Sequence, residues 1–420
     1  MLASIQLTED EAAVLDGQTG SQGHRMALQI VLEAAQILGA DRLVPIHSAH
    51  IDGCLYHGAS GTLFCERLVE LGAQTAVPAT TNVGALNLLK PAQSRLSGEA
   101  RKMAFRLMVA HERLGCIPSW TCAPYQAGAR PAFGTQVAWG ESNAVAFCNS
   151  VLGARTNRYG DFLDIACAIA GRAPYYGLHL AENRHATLLL DLTDIPAEWQ
   201  QDEVFFPVLG ALIGRLAGAR VCAVKGIVGT PGEDQLKALC AGAASTGAVG
   251  LVHLIGITPE APDQATAFGG TKAREVIAIT PRMMIAAKQD LSRADSGHID
   301  AVALGSPHFS SDECRSLLEM AGGIPFKVPV YVCLGRHSMT DLEKDRTAQA
   351  LEALGVVFVL DTCVVVTPIL PDHPGVLMTN SAKFAHYAKG NTGYDPVFGS
   401  LKNCVASARA GRVICSGGAW

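Results

Sequence analysis

Several features that would assign the chain to a class are missing from it. The first residues, Met1-Leu2-Ala3-Ser4-Ile5-Gln6, run into the acidic stretch Thr8-Glu9-Asp10-Glu11. No cationic segment is followed there by an apolar one, so no secretory leader is expected. No uncharged apolar run approaches 18 residues. The longest candidate, 356–370, is broken by Asp361 and reads as two buried strands. A net charge of −5, from 33 basic and 38 acidic residues, leaves no basic footprint for nucleic acid. There is no Cys-x-x-Cys pair, which argues against a zinc ribbon or a thioredoxin-type redox pair. Gly-x-Gly-x-x-Gly does not follow any expected strand and Gly-Lys-Ser/Thr does not occur, so no phosphate loop is read. No Ser/His/Asp order stands out, and neither a low-complexity linker nor an internal repeat divides the chain. The expectation is a soluble, cytoplasmic protein with neither a membrane nor a nucleic-acid partner.

What remains is 420 residues of ordinary globular composition, 49% hydrophobic and 17% charged, enough for two or three lobes. Thirteen cysteines are too few for a disulfide scaffold. In a reducing compartment most of them should pack as small hydrophobes, and any with a function should be catalytic or metal-binding.

Helical spacing is present at 8–17, 25–39, 63–71 and 97–115, with strands expected over 42–51 and 74–77. The stretch 116–185 is rich in Gly, Pro, Asn, Arg and aromatics with little periodicity outside 163–169. Irregular backbone this long is usually functional. From 203 onward β-branched runs at 220–227, 248–257, 276–280, 301–305, 328–334 and 356–360 alternate with helices near 233–243, 281–292, 311–321 and 340–353. Alternation of this kind predicts an α/β fold of several lobes, on mostly parallel sheets covered by helices. Its soft divisions are an N-terminal lobe with active-site loops (1–200), a regular βαβ lobe (201–370) and a C-terminal segment returning to the site (371–420).

In open α/β sheets ligands lie outside the carboxyl ends of the strands. That rim carries Ser306-Pro307-His308, Gly335-Arg336-His337 with Cys333 just inside its strand, and Asp361-Thr362-Cys363. Cys363 is the best-placed cysteine, although a buried strand-end thiol would look the same. Cys122 lies in a loop, Trp120–Tyr125, and Cys54 in a polar, histidine-flanked turn, neither a usual place for a core cysteine. Cys148, Cys167, Cys222, Cys240 and Cys314 read as core. Gly140–Asn143 and Asn149–Arg158 hold arginines, asparagines and a carboxylate that suit an anionic substrate, or equally a solvated loop of local turns. Thr379–Tyr387 contributes one lysine among small polar groups.

At these blocks the chain resembles aconitase X. The match is carried by His50–Tyr56 (HIDGCLY), Thr121–Tyr125 (TCAPY), Ala138–Ala144 (AWGESNA), Asn149–Arg158 (NSVLGARTNR), Tyr176–His179, Gly305–His308, Asp361–Cys363 and Asn380–Lys383. It spans about residues 5 to 405. The resemblance implies a hydro-lyase of the aconitase superfamily carrying an iron–sulfur cluster. It further implies a small swivelling part, fused or separate, that supplies a catalytic serine. Because the chain stops at Trp420, a separate small subunit is the expected partner. By the same resemblance Cys122 and Cys363 match cluster ligands. Ser306 stands where the archaeal enzymes carry a third cysteine, so either a smaller cluster is bound, 2Fe–2S being favoured, or another thiol substitutes, with Cys54 as the first candidate third ligand. Substrate contacts carry over to Gly53, Cys54, Leu55, Asn82, Val83, Glu141, Ser142 and Lys383, and catalytic roles to Glu141, Ser142 and Lys383.

The family dehydrates cis-3-hydroxy-L-proline or (R)-5-phosphomevalonate. Asp52 in the turn suits a secondary ammonium and would repel a phosphate, and Ser306 points the same way. The expectation is dehydration of cis-3-hydroxy-L-proline to pyrroline-2-carboxylate, with phosphomevalonate as the alternative hydroxy acid. Two readings of another kind stand beside it: a non-catalytic binding subunit, and a metal-free acyl transferase using Cys122 with His179 or His308.

Overall fold

Short apolar runs bounded by well-capped helices build the fold. Thr8 and Glu11 close a capping box on the first helix, Glu9–Leu15, and Ser310 with Glu313 does the same for Ser311–Ala321. The computed structural model describes residues 5–295, 297–372, 375–415 and 420. Residues 1–4 of the N-terminal stretch and part of the 371–420 segment lie outside them.

Fourteen strands form four sheets among the described residues. A two-stranded antiparallel ribbon pairs β1 (Leu43–Pro45) with β5 (Arg172–Pro174). A parallel sheet has β2 (Ala49–Ile51) between β3 (Ala79–Thr81) and β4 (Ala138–Trp139). A second parallel sheet runs β8 (Val252–Leu254), β7 (Cys222–Lys225), β6 (Leu188–Asp191), β9 (Glu275–Ala278). The third runs β12 (Val356–Val359), β11 (Val330–Leu334), β10 (Ala301–Phe309), β13 (Val376–Thr379), β14 (Asp395–Phe398), all parallel. The parallel α/β expectation therefore holds. The division expected at residue 370 falls inside the third sheet, which takes strands from both sides of it.

The largest apolar core surrounds two helices, Phe205–Ala217 and Glu233–Thr246, which meet backbone to backbone. A Cβ at Gly210 would sit 2.2 Å from the Leu239 carbonyl oxygen, so only glycine permits that approach. No helix among the described residues is long and apolar enough to cross a membrane.

Four local expectations change. The strand read over 42–51 is two strands in different sheets, because Ile46 and His47 turn their N–H groups to Gly171 and Gln136. Residues 74–77 make no ladder. Thr75 and Ala76 bond Leu114 and Ala168 instead, and the strand comes at Ala79–Thr81. The helix at 340–353 breaks at Arg346, whose φ is +64°, into Arg336–Lys344 and Thr347–Ala353. Beyond Val359 no second strand forms, since the Cys363 carbonyl accepts from Val366 and Thr367 in a turn.

What positions the site is strand order. In the third sheet the chain winds outward from β10 through β11 to β12, then returns to the other side of β10 as β13. The three-stranded sheet does the same about β2. Both therefore have a switch point, where a crevice opens at the strands' carboxyl ends.

Candidate active site

At the switch point of the third sheet, β10 ends in a bulge. Leu304 pairs with Val332 and Phe309 with Leu334, so residues 305–308 face a single residue, Cys333. Across the crevice β13 delivers Ser381, which caps the helix Ala382–Thr392 and bonds its hydroxyl to the Ser306 carbonyl. Lys383 thereby stands in the first turn of that helix, nine-tenths buried. At the other switch point β2 delivers Asp52, Gly53 and Cys54, β3 delivers Asn82 and Val83, and β4 delivers Glu141, the N-cap of Ser142–Phe147.

The two crevices are joined by a string of polar groups. Asn82 Nδ2 donates to Glu141 Oε2 at 2.9 Å and also to Asp52. Lys383 Nζ donates to Glu141 Oε1 at 2.8 Å and also to Asn143, whose amide reaches the Cys122 carbonyl at 2.7 Å. The Ser142 hydroxyl leans on Glu141 at 3.4 Å. Asn82 Oδ1 is buried with no hydrogen-bond partner among the described residues, a group left facing the site. Gly53 and Leu55 line a small cavity of about 80 Å³ behind the turn.

Three carboxyls crowd this string against one cation. Burial raises Glu141, but the Lys383 ammonium and its hydrogen bond outweigh that and hold it below the usual carboxylate range. Burial first, then Glu141 and Asp164, push Asp52 well above its usual range against the Asn82 hydrogen bond. Asp164, on the helix Leu163–Ala170, accepts the backbone N–H groups of Asp52 (2.7 Å) and Gly53 (3.0 Å) and so shapes the turn. Burial carries it up to about 7 in spite of those bonds. Lys383 is raised: Glu141 and the Cys122 and Cys363 sulfurs together overcome its burial.

The sulfurs lie beyond Lys383. Cys122 Sγ accepts the His308 N–H at 3.3 Å, and burial pushes its thiol up to about 12. Cys363 is lowered, chiefly by a hydrogen bond from Cys333, with the Val365 N–H, Lys383 and the Ser306 hydroxyl acting the same way. Asp361, buried and with φ +63°, fixes the approach to Cys363. Its carboxylate takes a two-pronged Arg336 pair at 2.6 and 2.7 Å, and its carbonyl accepts the Gly84 N–H from the loop after β3. Among the described residues no three His, Cys, Asp or Glu side chains are gathered as a site for one ion.

Cys122, Cys363 and Ser306 thus lie near Lys383, and Ser142, Asn82 and, through Asn82, Asp52 are linked to it by way of Glu141. Cys54 does not join the sulfurs. Its thiol donates to the carbonyls of Ile51 (3.3 Å) and Asn82 (3.2 Å), and it packs with Ala85, Met108 and Trp120. The Asn149–Arg158 stretch is structural in large part. Asn149 bonds Thr156, Gly250 and Arg184, and buried Arg184 pairs with Glu260. Sequence reasoning missed Asp164, hidden in an apolar run, and took Cys333 no further than the inside of a rim strand. It also missed Lys237, which donates to the His308 carbonyl at 3.1 Å and pairs with Glu313 at 2.5 Å. Lys237, Ser306, Ser381 and Lys383 share the wall of a cavity of about 350 Å³.

Cys122 lacks the arrangement of a nucleophile. His308 Nε2 faces the Thr362 carbonyl at 3.2 Å and must carry the proton, which leaves Nδ1 to accept from Thr121 at 3.0 Å. Neither nitrogen is directed to sulfur. His179 is engaged by Tyr159 and Gln136.

Burial holds four histidines neutral, with His50 and His111 lowered to about 4 and His179 and His308 to about 3. A base depressed in the fold stabilises it above its unfolded pKa and loses that contribution as pH falls. Melting temperature should therefore drop as pH is lowered from about 6.5 toward 4. Replacing His308 with glutamine should shallow that slope. A slope identical in wild type and variant would contradict the assignment.

The chain matches three family descriptions in succession: the Aconitase X first domain over residues 4–182, the second over 186–289 and the third over 299–410. Cis-3-hydroxy-L-proline dehydratase of Pseudomonas aeruginosa is 39% identical over 423 residues, covering 100% of this chain and 72% of that protein. Phosphomevalonate dehydratase large subunit of Methanothermobacter thermautotrophicus is 34% identical, covering 96% of this chain and 99% of that one. The crystal structure of Thermococcus kodakaraensis aconitase X in its holo-form superposes with a TM-score of 0.86 at 30% identity, over 96% of this chain and 100% of that chain.

Proposed function

The chain belongs to the aconitase X family, and from that premise we propose that it is a hydro-lyase that removes water from cis-3-hydroxy-L-proline to give pyrroline-2-carboxylate. The observation that carries this is the 39% identity to a cis-3-hydroxy-L-proline dehydratase along the whole chain. The excess of buried carboxyls over cations at the site supports it, since a ring ammonium relieves that crowding and a phosphate would aggravate it. Phosphomevalonate is the second reading, favoured by a large-subunit relative of nearly the same length.

Family membership implies an iron–sulfur cluster, and the donor chemistry around Cys122 and Cys363 suits one. These are buried sulfurs with backbone N–H groups at hand and the Lys383 charge nearby, which already lower Cys363, while Cys122, held up by burial, would give up its proton to the metal. Cys122 and Cys363 would hold it, with 2Fe–2S as the proposed form. Once bound there, the cluster would supply Lewis acidity toward the departing hydroxyl.

The chain's own side chains do the rest. Lys383 binds the substrate carboxylate and offsets the charge that gathers there as the α-proton leaves. Asn82, with its free Oδ1, and Asp52 receive the ring ammonium, and Asp52 gives up its proton as that cation arrives. Glu141, on which the Ser142 hydroxyl leans, holds Lys383 in place together with Asn143, Glu141 and Ser142 face the reacting carbons, and Asp164 keeps the 52–54 turn in position. Gly53, Cys54, Leu55 and Val83 shape the wall. The serine that removes the α-proton belongs to a small subunit acting with this chain, by analogy with the relatives called large subunits.

The test is to purify the chain with its small partner, supply each substrate, and follow pyrroline-2-carboxylate. Turnover of hydroxyproline with none of phosphomevalonate is expected. The converse would overturn the reading.

A further inference from the structure

We propose that Cys333 is a third protein ligand of the iron–sulfur group, taking over on the neighbouring strand the place left by Ser306. This rests on the iron–sulfur reading above and adds to it a residue that the family pattern does not mark.

The geometry starts from the bulge. Position 306 stands on the loop that β10 throws out opposite Cys333, and the two backbones are in direct contact. A Cβ on Gly305 would fall 2.0 Å from the Cys333 carbonyl oxygen, and Gly305 has the positive φ (+86°) that glycine accepts without strain. Residues 306 and 333 therefore approach Cys363 side by side. Cys333 and Cys363 pack in one buried cluster, and the Ser306 hydroxyl and the Cys333 thiol both act on the Cys363 sulfur. On this proposal a cysteine at either position brings a thiol to the cluster. Here position 306 offers a hard hydroxyl, and the soft sulfur that iron prefers comes from position 333.

Two further observations set Cys333 apart from a packing cysteine. Its sulfur accepts the Val364 N–H at 3.4 Å, as the Cys122 sulfur accepts that of His308. The Cys122 sulfur is also near enough to act on the charge of Cys333, so the three sulfurs lie in one region of the site. They are not close enough to wrap a single ion, but a cluster of several irons is wider than an ion. Cys54, by contrast, spends its thiol on the Ile51 and Asn82 carbonyls. On ligation the Cys333 thiol loses its proton to solvent and its sulfur lone pair bonds iron, with no change of oxidation state.

The experiment uses the chain co-purified with its partner under anaerobic conditions, read by iron count, acid-labile sulfide and visible absorption. Cys333→Ala is expected to lose more than half of the iron and sulfide, with an altered spectrum. The double variant C333A/S306C should regain both while C54S keeps the wild-type content, and far-UV circular dichroism checks that each variant is folded. Full retention of iron, sulfide and spectrum in C333A would overturn the proposal. So would a folded double variant that gains nothing, or loss of iron in C54S alone. Wild-type protein free of iron and sulfide would instead sink the iron–sulfur reading itself, a separate result.

Discussion

Replacing Lys383 with methionine is expected to lower kcat/KM for cis-3-hydroxy-L-proline by about 10²–10³-fold, the usual cost of removing one preorganised group from a developing negative charge. The variant is informative because Lys383 has two tasks. In the proposed mechanism it faces the substrate carboxylate, and among the described residues it is the cation bonded to buried Glu141, at 2.8 Å. Without it Glu141 is a carboxylate in an apolar setting, and breaking such a pair costs about 3–5 kcal/mol. The pH dependence separates the two tasks. In the wild type Glu141 is depressed, so its contribution to stability is present above its unfolded pKa and is lost as pH falls. In K383M burial, opposed only by the hydrogen bonds from Asn82 and the Asn143 N–H, raises Glu141, so stability is lost as pH rises. The melting-temperature gap between wild type and variant should therefore widen from pH 5 to pH 8. A constant gap would mean that Glu141 is not held by Lys383, and activity within threefold of wild type would remove the lysine from the reaction.

Asp52→Asn should weaken hydroxyproline turnover by about 30- to 100-fold, mostly through KM, as expected when a charged partner of a bound ammonium is neutralised at constant shape. Stability should move the other way. The Asp52 carboxyl is raised by burial and by Glu141, so the fold loses stability as pH rises through its titration, and asparagine removes that loss. Steady-state kinetics and melting curves between pH 5 and pH 8 give both readings. A variant that is less active and no less stable is the signature of a residue placed for ligand binding at the expense of the fold. An unchanged KM would dismiss Asp52 as the ammonium site.

The strand-end rule marks Ser306 and Cys363 from residue order alone, because a parallel sheet leaves the carboxyl ends of its strands as the open crevice. The same rule undervalues Cys333. Along the chain it is an interior strand residue, and only the tertiary structure sets the β10 bulge against it and brings the Val364 N–H, next to Cys363, to its sulfur at 3.4 Å. Asp164 is hidden in a different way. Its helix, Leu163–Ala170, is buried on nearly every side, so one carboxylate among apolar residues carries no periodic signal. Lys237 has the look of a surface lysine on an amphipathic helix, yet it is 2% exposed and paired twice. The polar stretch Asn149–Arg158 misleads in the opposite direction. Asn149 is spent on backbone groups that an irregular segment has to satisfy once it is buried.

The sequence by itself determined the fold class, through β-branched runs alternating with capped helices, and the family, through motifs such as NSVLGARTNR. It also named most of the groups that meet at the site, since residue type and strand-end position are local properties of the chain. Tertiary structure alone decided which of the thirteen cysteines are neighbours and which carboxyl answers Lys383. Those pairings join residues as far apart as Cys122 and Cys363, or Glu141 and Lys383, and they depend on two sheets bringing their switch points together. No local pattern encodes that contact, because its energy comes from burying charges and sulfurs that meet only once the sheets have packed.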